Sequence, residues 1–140
     1  QVFVEAKFYG FEIDIEFYQY QDNPVSTAGL GFENIRHFTE AKLKDGDFVF
    51  VPGMDNDYVN SIPFKAEREF FKWLKECSDN KVTVCSICTG AFALGQAGLL
   101  KNTECTTHWR RVKALQSQFP QARVVEDILF VKSNNVYTSY

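Results

Sequence analysis

The chain has 140 residues, 45% of them hydrophobic and 16% aromatic, with 15 Lys and Arg against 18 Asp and Glu for a formal net charge of −3. This apolar fraction excludes a disordered tail, and the length argues for one domain spanning residues 1–140. The acidic balance, relieved only at Arg110, Arg111 and Lys113, argues against direct nucleic-acid binding, and the stretch 91–100, interrupted by Gln96, falls short of the roughly 20 apolar residues of a spanning helix.

Taken in chain order, residues 11–17 alternate apolar with acidic side chains at period two and predict a strand near a sheet edge. Asp22-Asn23-Pro24 turns the chain, and Val25 to Phe38, punctuated by Gly29 and Gly31, predicts a small hairpin or excursion. Asp47-Phe48-Val49-Phe50-Val51 is apolar after its first residue, the pattern of a strand covered on both faces, and Pro52-Gly53 ends it. From Pro63 to Cys77, Phe64, Phe70, Phe71, Leu74 and Cys77 recur near helical spacing among charged residues, which predicts an amphipathic helix.

Lys81 to Cys85 predicts the next strand, followed by a turn and a helix that Gly98 closes in a left-handed cap. His108 to Phe119 predicts a helix with Trp109, Val112, Leu115 and Phe119 inward and Pro120 as its stop. Short strands follow at Arg123 to Val125, Ile128 to Lys132 and Val136 to Thr138, with Asn134-Asn135 turning between the last two. Strands alternating with helices imply an α/β sandwich on a mainly parallel sheet, whose sites lie at the carboxyl ends of strands. Gly53 and Cys88 both fall at such ends.

The run from Val82 to Leu94 carries the strongest chemical signal, because a β-branched strand breaks at Cys88 among small residues and resumes as a helix. This is the cysteine form of a nucleophile elbow. Its helix N-terminus is expected to lower the Cys88 thiol pKa, the Thr89 backbone N–H to stabilise an oxyanion, and Ser86 and Gly90 to supply the small neighbours. Backbone N–H groups in the turn Gly53-Met54 are candidates for a second oxyanion donor. The bland alternative is a structurally required elbow with an inert thiol.

His108 is the candidate acid-base partner of Cys88, since a cysteine and histidine pair is the minimal activated thiol; equally, Thr107 caps the next helix and His108 sits in its first turn. Cys85-x-x-Cys88 with Cys105-x-x-His108 has spacing close to a zinc site. The strand pattern points Cys85 and Cys88 to opposite faces, so no metal is assigned. Four cysteines in so apolar a chain do not form a disulfide framework, and a reducing, cytoplasmic setting is expected. No cofactor is called for.

Cys88-Thr89-Gly90-Ala91-Phe92, Ala97-Gly98-Leu99-Leu100 and Thr106-Thr107-His108-Trp109-Arg110 together resemble the ThiJ/PfpI family, within the class I glutamine amidotransferase-like superfamily. Pro52-Gly53 and Val136 to Ser139 fit the same pattern, and the resemblance covers most of the chain from about Asp47. It implies a flavodoxin-like, three-layer α/β sandwich, here incomplete at both ends. Within the family these motifs are most similar to the N-terminal domains of AraC-type transcription regulators, and isonitrile hydratases share much of them.

Departures bear on function. Thr89 stands where peptidase-like members have histidine, Met54 replaces a glycine, the acidic helper of the cysteine is not identifiable, and the expected Thr-Ser-Ala-Gly reads Thr138-Ser139-Tyr140. The resemblance therefore implies a ligand-sensing and dimerising domain of a regulator. It would be a fragment of a longer chain that reaches DNA only through another domain and has no membrane part. The alternative is a cysteine-dependent hydratase or amidase acting on a small molecule, with Cys88 as nucleophile, Thr89 assisting and His108 as acid-base partner.

Overall fold

The computed structural model describes all 140 residues, which fall into two compact units, Gln1–Ala41 and Lys42–Tyr140. The first unit opens with helix α1 (Val2–Phe8), none of whose side chains is buried. Strands β1 (Tyr18–Gln19) and β2 (Arg36–His37) pair in parallel. Arg36 fastens this pair: its guanidinium donates to the Tyr18 hydroxyl at 3.0 Å, lies 3.2 Å from Glu16 and stacks over the Tyr18 ring. Phe38 is the one buried side chain of the unit.

The strand expected over residues 11–17 does not form; the chain there carries no regular secondary structure. Its alternation survives as half-buried Ile13 and Ile15 between exposed acids, so the period is real while the partner strand is missing. The excursion after Pro24 closes through a single antiparallel bridge, Val25 with Gly31.

In the second unit, β3 (Phe48–Val51), β4 (Thr83–Ile87), β7 (Phe130–Ser133) and β8 (Val136–Ser139) form one sheet in the order β3-β4-β8-β7. The first three in that order run parallel and β7 is antiparallel to β8. A separate parallel pair joins β5 (Glu104–Cys105) and β6 (Arg123–Val124). The result is the mixed α/β architecture on a mainly parallel sheet that the alternating elements predict.

Between β3 and β4 the chain forms α2 (Asn56–Val59), α3 (Ile62–Lys65) and α4 (Arg68–Asp79). The single helix expected from Pro63 to Cys77 is thus two. Ser61 caps α3 by accepting from the Phe64 N–H, and the chain breaks at Ala66 and Glu67 before α4 begins. The apolar spacing nonetheless holds: Phe64, Phe70, Phe71, Leu74 and Cys77 are all buried. Phe64 meets Tyr58 and Phe71 edge-on, each at 5.3 Å between ring centres.

After β4, α5 (Ala91–Gln96) ends in a Schellman cap. Gly98 adopts φ 77°, its N–H reaches the Gly95 carbonyl and the Leu99 N–H reaches that of Leu94. Helix α6 (Val112–Gln118) comes after a 3₁₀ turn at Trp109–Arg111, so the helix expected from His108 starts later. Trp109, expected inward, is 59% exposed, because the tighter turn rotates it away from the face that buries Val112 and Leu115.

The register puts Val49, Val51, Val84, Ser86, Val136 and Thr138 on one face of the sheet, where α4 and α5 pack against β4. Phe48, Phe50, Ile87 and Phe130 lie on the other and are exposed. The expectation that β3 is covered on both faces is therefore corrected: it is the edge strand of this sheet, and its continuous apolar run reflects one buried and one open face. No helix is long and apolar enough to cross a membrane.

Candidate functional site

Strands β3, β4 and β8 run parallel and end at the same edge of the sheet, and Cys88 stands at that edge. Residue 88 opens a 3₁₀ turn, Cys88–Gly90, directly after β4. Its φ of 55° lies in the left-handed region that a non-glycine residue adopts only at a cost of about 1–3 kcal/mol. That sign of φ swings the thiol out of the strand direction and leaves it half buried, whereas Cys77, Cys85 and Cys105 are buried.

Gly90 explains why the turn can sit so low on the sheet. A Cβ there would stand 2.3 Å from the Val51 carbonyl oxygen and 2.8 Å from that of Pro52. Its own φ is helical at −55°, so this glycine is required for space rather than for conformation. Gly53 borders the thiol from the β3 side: a Cβ on it would lie 3.4 Å from Cys88 Cβ and 3.7 Å from Cys88 Sγ.

Hydroxyl groups hold the elbow. Thr89 Oγ1 donates to the Met54 carbonyl at 2.6 Å and accepts from the Met54 N–H at 2.7 Å, stitching the turn after β4 to the turn after β3. The Met54 N–H is thereby committed to a side chain. Thr107 Oγ1 donates to the Cys88 carbonyl at 2.7 Å. Thr106 donates its N–H to Thr138 Oγ1 at 2.8 Å and its hydroxyl to the Val125 carbonyl at 2.9 Å.

Ser86, Thr89, Thr106, Thr107 and Thr138 are the buried polar residues of the chain, and all five sit at this end of the sheet or in the turns beside it. A buried hydroxyl is retained where it has a partner. Ser86 Oγ is the exception, buried without one. Sequence reasoning misses the roles of Thr107 and Thr138, because threonines near a strand end read equally well as helix caps.

His108 is placed next to this network rather than in it. Its ring lies between Trp109 and Tyr140, with centres 5.7 and 5.3 Å away and planes inclined by 25° and 14°. Its Nδ1 accepts the Arg110 N–H at 3.2 Å, which makes His108 the cap of the 3₁₀ turn, a role expected of Thr107. No hydrogen bond joins it to the Cys88 thiol. Asp55, the acid next to the Gly53 turn, caps α2 by accepting from the Asp57 and Tyr58 N–H groups. No group of three or more His, Cys, Asp or Glu side chains converges in a way that could hold a metal ion.

A parallel sheet with a strained cysteine turn at its carboxyl edge is the arrangement on which the family model for DJ-1/PfpI proteins also falls, matching residues 7–140. The chain belongs to the DJ-1/PfpI family. Among the relatives of this DJ-1/PfpI chain, the HTH-type transcriptional regulator CdhR of Pseudomonas aeruginosa is 34% identical over 87 residues, 61% of this chain and 24% of the regulator. The match thus spans about a quarter of the relative's length.

Two solved structures share the DJ-1/PfpI chain's fold. A candidate transcriptional regulator from Vibrio parahaemolyticus superposes with a TM-score of 0.81 at 17% identity, over 99% of this chain and 71% of that one. An AraC family transcriptional regulator from Pseudomonas putida gives 0.75 at 22% identity, with the same coverage.

Proposed function

We propose that this DJ-1/PfpI chain is the ligand-sensing and dimerising part of an AraC-type transcription regulator, responding to a small molecule bound in the region of the Cys88 elbow. The observation that carries this reading is the 34% identity to CdhR over 87 residues. The elbow itself supports a positional role: threonine hydroxyls fix its backbone on both sides while the thiol has neither histidine nor carboxylate hydrogen-bonded to it. In this reading DNA is reached through another domain, and the cysteine turn reports occupancy to it.

The test is to immunoprecipitate the endogenous protein from its source cells after crosslinking and to sequence the DNA recovered. Enrichment of discrete promoter fragments is the expected result. Recovery no different from a non-specific antibody overturns the reading.

A second reading, a cysteine-dependent hydratase or amidase, is favoured by one observation, the left-handed φ of Cys88. Backbone strain of this kind is a feature of sites that present a nucleophile. Turnover of a nitrile, isonitrile or amide that disappears on Cys88→Ala would establish it. Turnover that persists in that variant would rule it out.

A further inference from the structure

An exposed aromatic band lies beside the elbow, and its members follow one another from contact to contact. The Leu129 carbonyl accepts the Tyr140 N–H at 2.9 Å, and the Tyr140 ring stacks on that of His108 at 5.3 Å between centres. His108 stacks in turn on Trp109 at 5.7 Å, and the Arg110 guanidinium rests over the Trp109 ring at 4.7 Å. Glu126 and Asp127 directly precede Ile128 and Leu129 at one end of this series, and Lys113 follows Arg110 by three residues at the other. All of these side chains but that of His108 line one continuous surface.

We propose that this band is the surface on which a second copy of the chain docks, about a two-fold axis that sets the Glu126 and Asp127 end of each copy against the Arg110 and Lys113 end of the other. The inference rests on the dimerising part of the function proposed above and names the surface that would serve it.

Charge selects the occupant. The band ends in two anions on one side and two cations on the other, and none of the four belongs to an ion pair of the chain, which are Arg36 with Glu16, Lys72 with Glu76 and Lys75 with Asp79. A partner of uniform sign would meet like charge at one end. The same patch turned through half a revolution meets opposite charge at both, which is the self-complementarity of an isologous contact.

Area agrees with charge. Trp109, Ile128, Leu129 and Tyr140 are between 45% and 77% exposed. At roughly 150–250 Å² for a large side chain, they leave on the order of 450 Å² of mainly apolar surface in water. A patch of that size on one chain is often functional. With the four charged side chains as its rim it approaches the roughly 800 Å² per partner of a stable interface, and Trp, Tyr and Arg are the residue types that anchor such contacts.

The experiment is sedimentation equilibrium of the full 140-residue chain. A dimer is expected, and raised salt should weaken it because the rim charges are exposed. Arg110→Glu and Glu126→Arg, both at exposed positions and each verified as folded by circular dichroism, should each weaken association by about tenfold or more, since every change acts twice across the axis. Leu129→Ser should weaken it too, and Glu69→Lys, on the exposed face of α4, should leave it unchanged. An equimolar mixture of the two charge variants should associate as well as the parent, because one copy then presents only anions at these positions and the other only cations.

A chain that stays single at every concentration overturns both the surface and the dimerising reading. Association that the two charge variants and Leu129→Ser all leave intact overturns the surface and preserves that reading. A mixture that associates no better than either variant alone overturns the pairing of the two ends across the axis, and the proposal with it.

Discussion

Thr107 donates its hydroxyl to the carbonyl oxygen of Cys88 across 2.7 Å, although the two residues are 19 apart in the chain. The carbonyl belongs to a residue in the left-handed region, after the end of β4 and outside any ladder. The threonine therefore adds a second partner to the one that the Ala91 N–H provides within the 3₁₀ turn. Thr89 clamps the turn after β3, so two side-chain clamps hold the elbow in addition to the backbone bond of its own 3₁₀ turn.

Removing the first clamp should be costly. Thr107→Val keeps the shape and deletes the donor, leaving the Cys88 carbonyl only its bond from the Ala91 N–H, and is expected to lower stability by about 0.5–1.5 kcal/mol. Thr107→Ser restores the hydroxyl and should recover most of the loss. Urea unfolding of the three proteins measures it; equal midpoints for the valine variant and the parent would deny the clamp its structural role.

The two glycines of the site should respond differently to the same change. Gly90→Ala forces a methyl group against the Val51 and Pro52 carbonyls, where backbone must move, and is expected to cost about 3 kcal/mol. Gly53→Ala meets only the Cys88 and Thr89 side chains at 3.4 Å or more and should cost less than about 1 kcal/mol. Its effect should appear instead as slower alkylation of Cys88, because the added methyl lies beside the sulfur. Thermal unfolding and labelling rates on both variants separate space at the backbone from access to the thiol.

The contrast between Gly90 and Trp109 shows what the sequence could reveal about this site. Cysteine, threonine and glycine following a β-branched strand announce a strand-to-helix turn, because each local preference points the same way, and the structure contains that turn at Cys88. Trp109 and the run Phe48 to Val51 carry no such agreement. An apolar run has the same pattern in a buried strand and in an edge strand with one open face, and an aromatic residue near a helix start can face either way depending on whether the first turn is 3₁₀ or α. The Thr107 clamp is hidden for a different reason, since it meets the elbow only through long-range folding.

Thiol chemistry should divide the four cysteines. Burial pushes Cys77, Cys85 and Cys105 up to about 11, with Glu76 adding to the effect at Cys77. These three should resist iodoacetamide in the native protein at neutral pH, and half-buried Cys88 should take the single label seen by intact-mass spectrometry. Unfolding in urea should expose all four. A native protein carrying two or more labels would contradict the burial of Cys77, Cys85 and Cys105.

The same burial fixes the sign of an alkaline effect. The folded chain keeps these thiols protonated above the ordinary value of 9.0, so the unfolded chain binds fewer protons between that value and about 11. Stability from this source is complete below pH 9 and lost as pH rises through the folded values. Unfolding midpoints should therefore fall over that window, and replacing Cys85 by Ala should flatten the fall. Midpoints that rise between pH 9 and 11 would reverse the assignment.

The open face of the sheet gives a last test, in which position rather than residue type decides the outcome. Phe48 and Phe130 are 56% and 58% exposed, and Leu74 in α4 is fully buried against the covered face. Phe48→Thr and Phe130→Thr retain strand preference and forfeit little burial, so each should change stability by no more than about 0.5 kcal/mol. Leu74→Ala removes packed methyl groups and leaves a cavity, at a cost of about 2–5 kcal/mol. Denaturant unfolding of the three variants ranks them, and a loss in either phenylalanine variant as large as that of Leu74→Ala would mean that the Phe48 face is covered in solution.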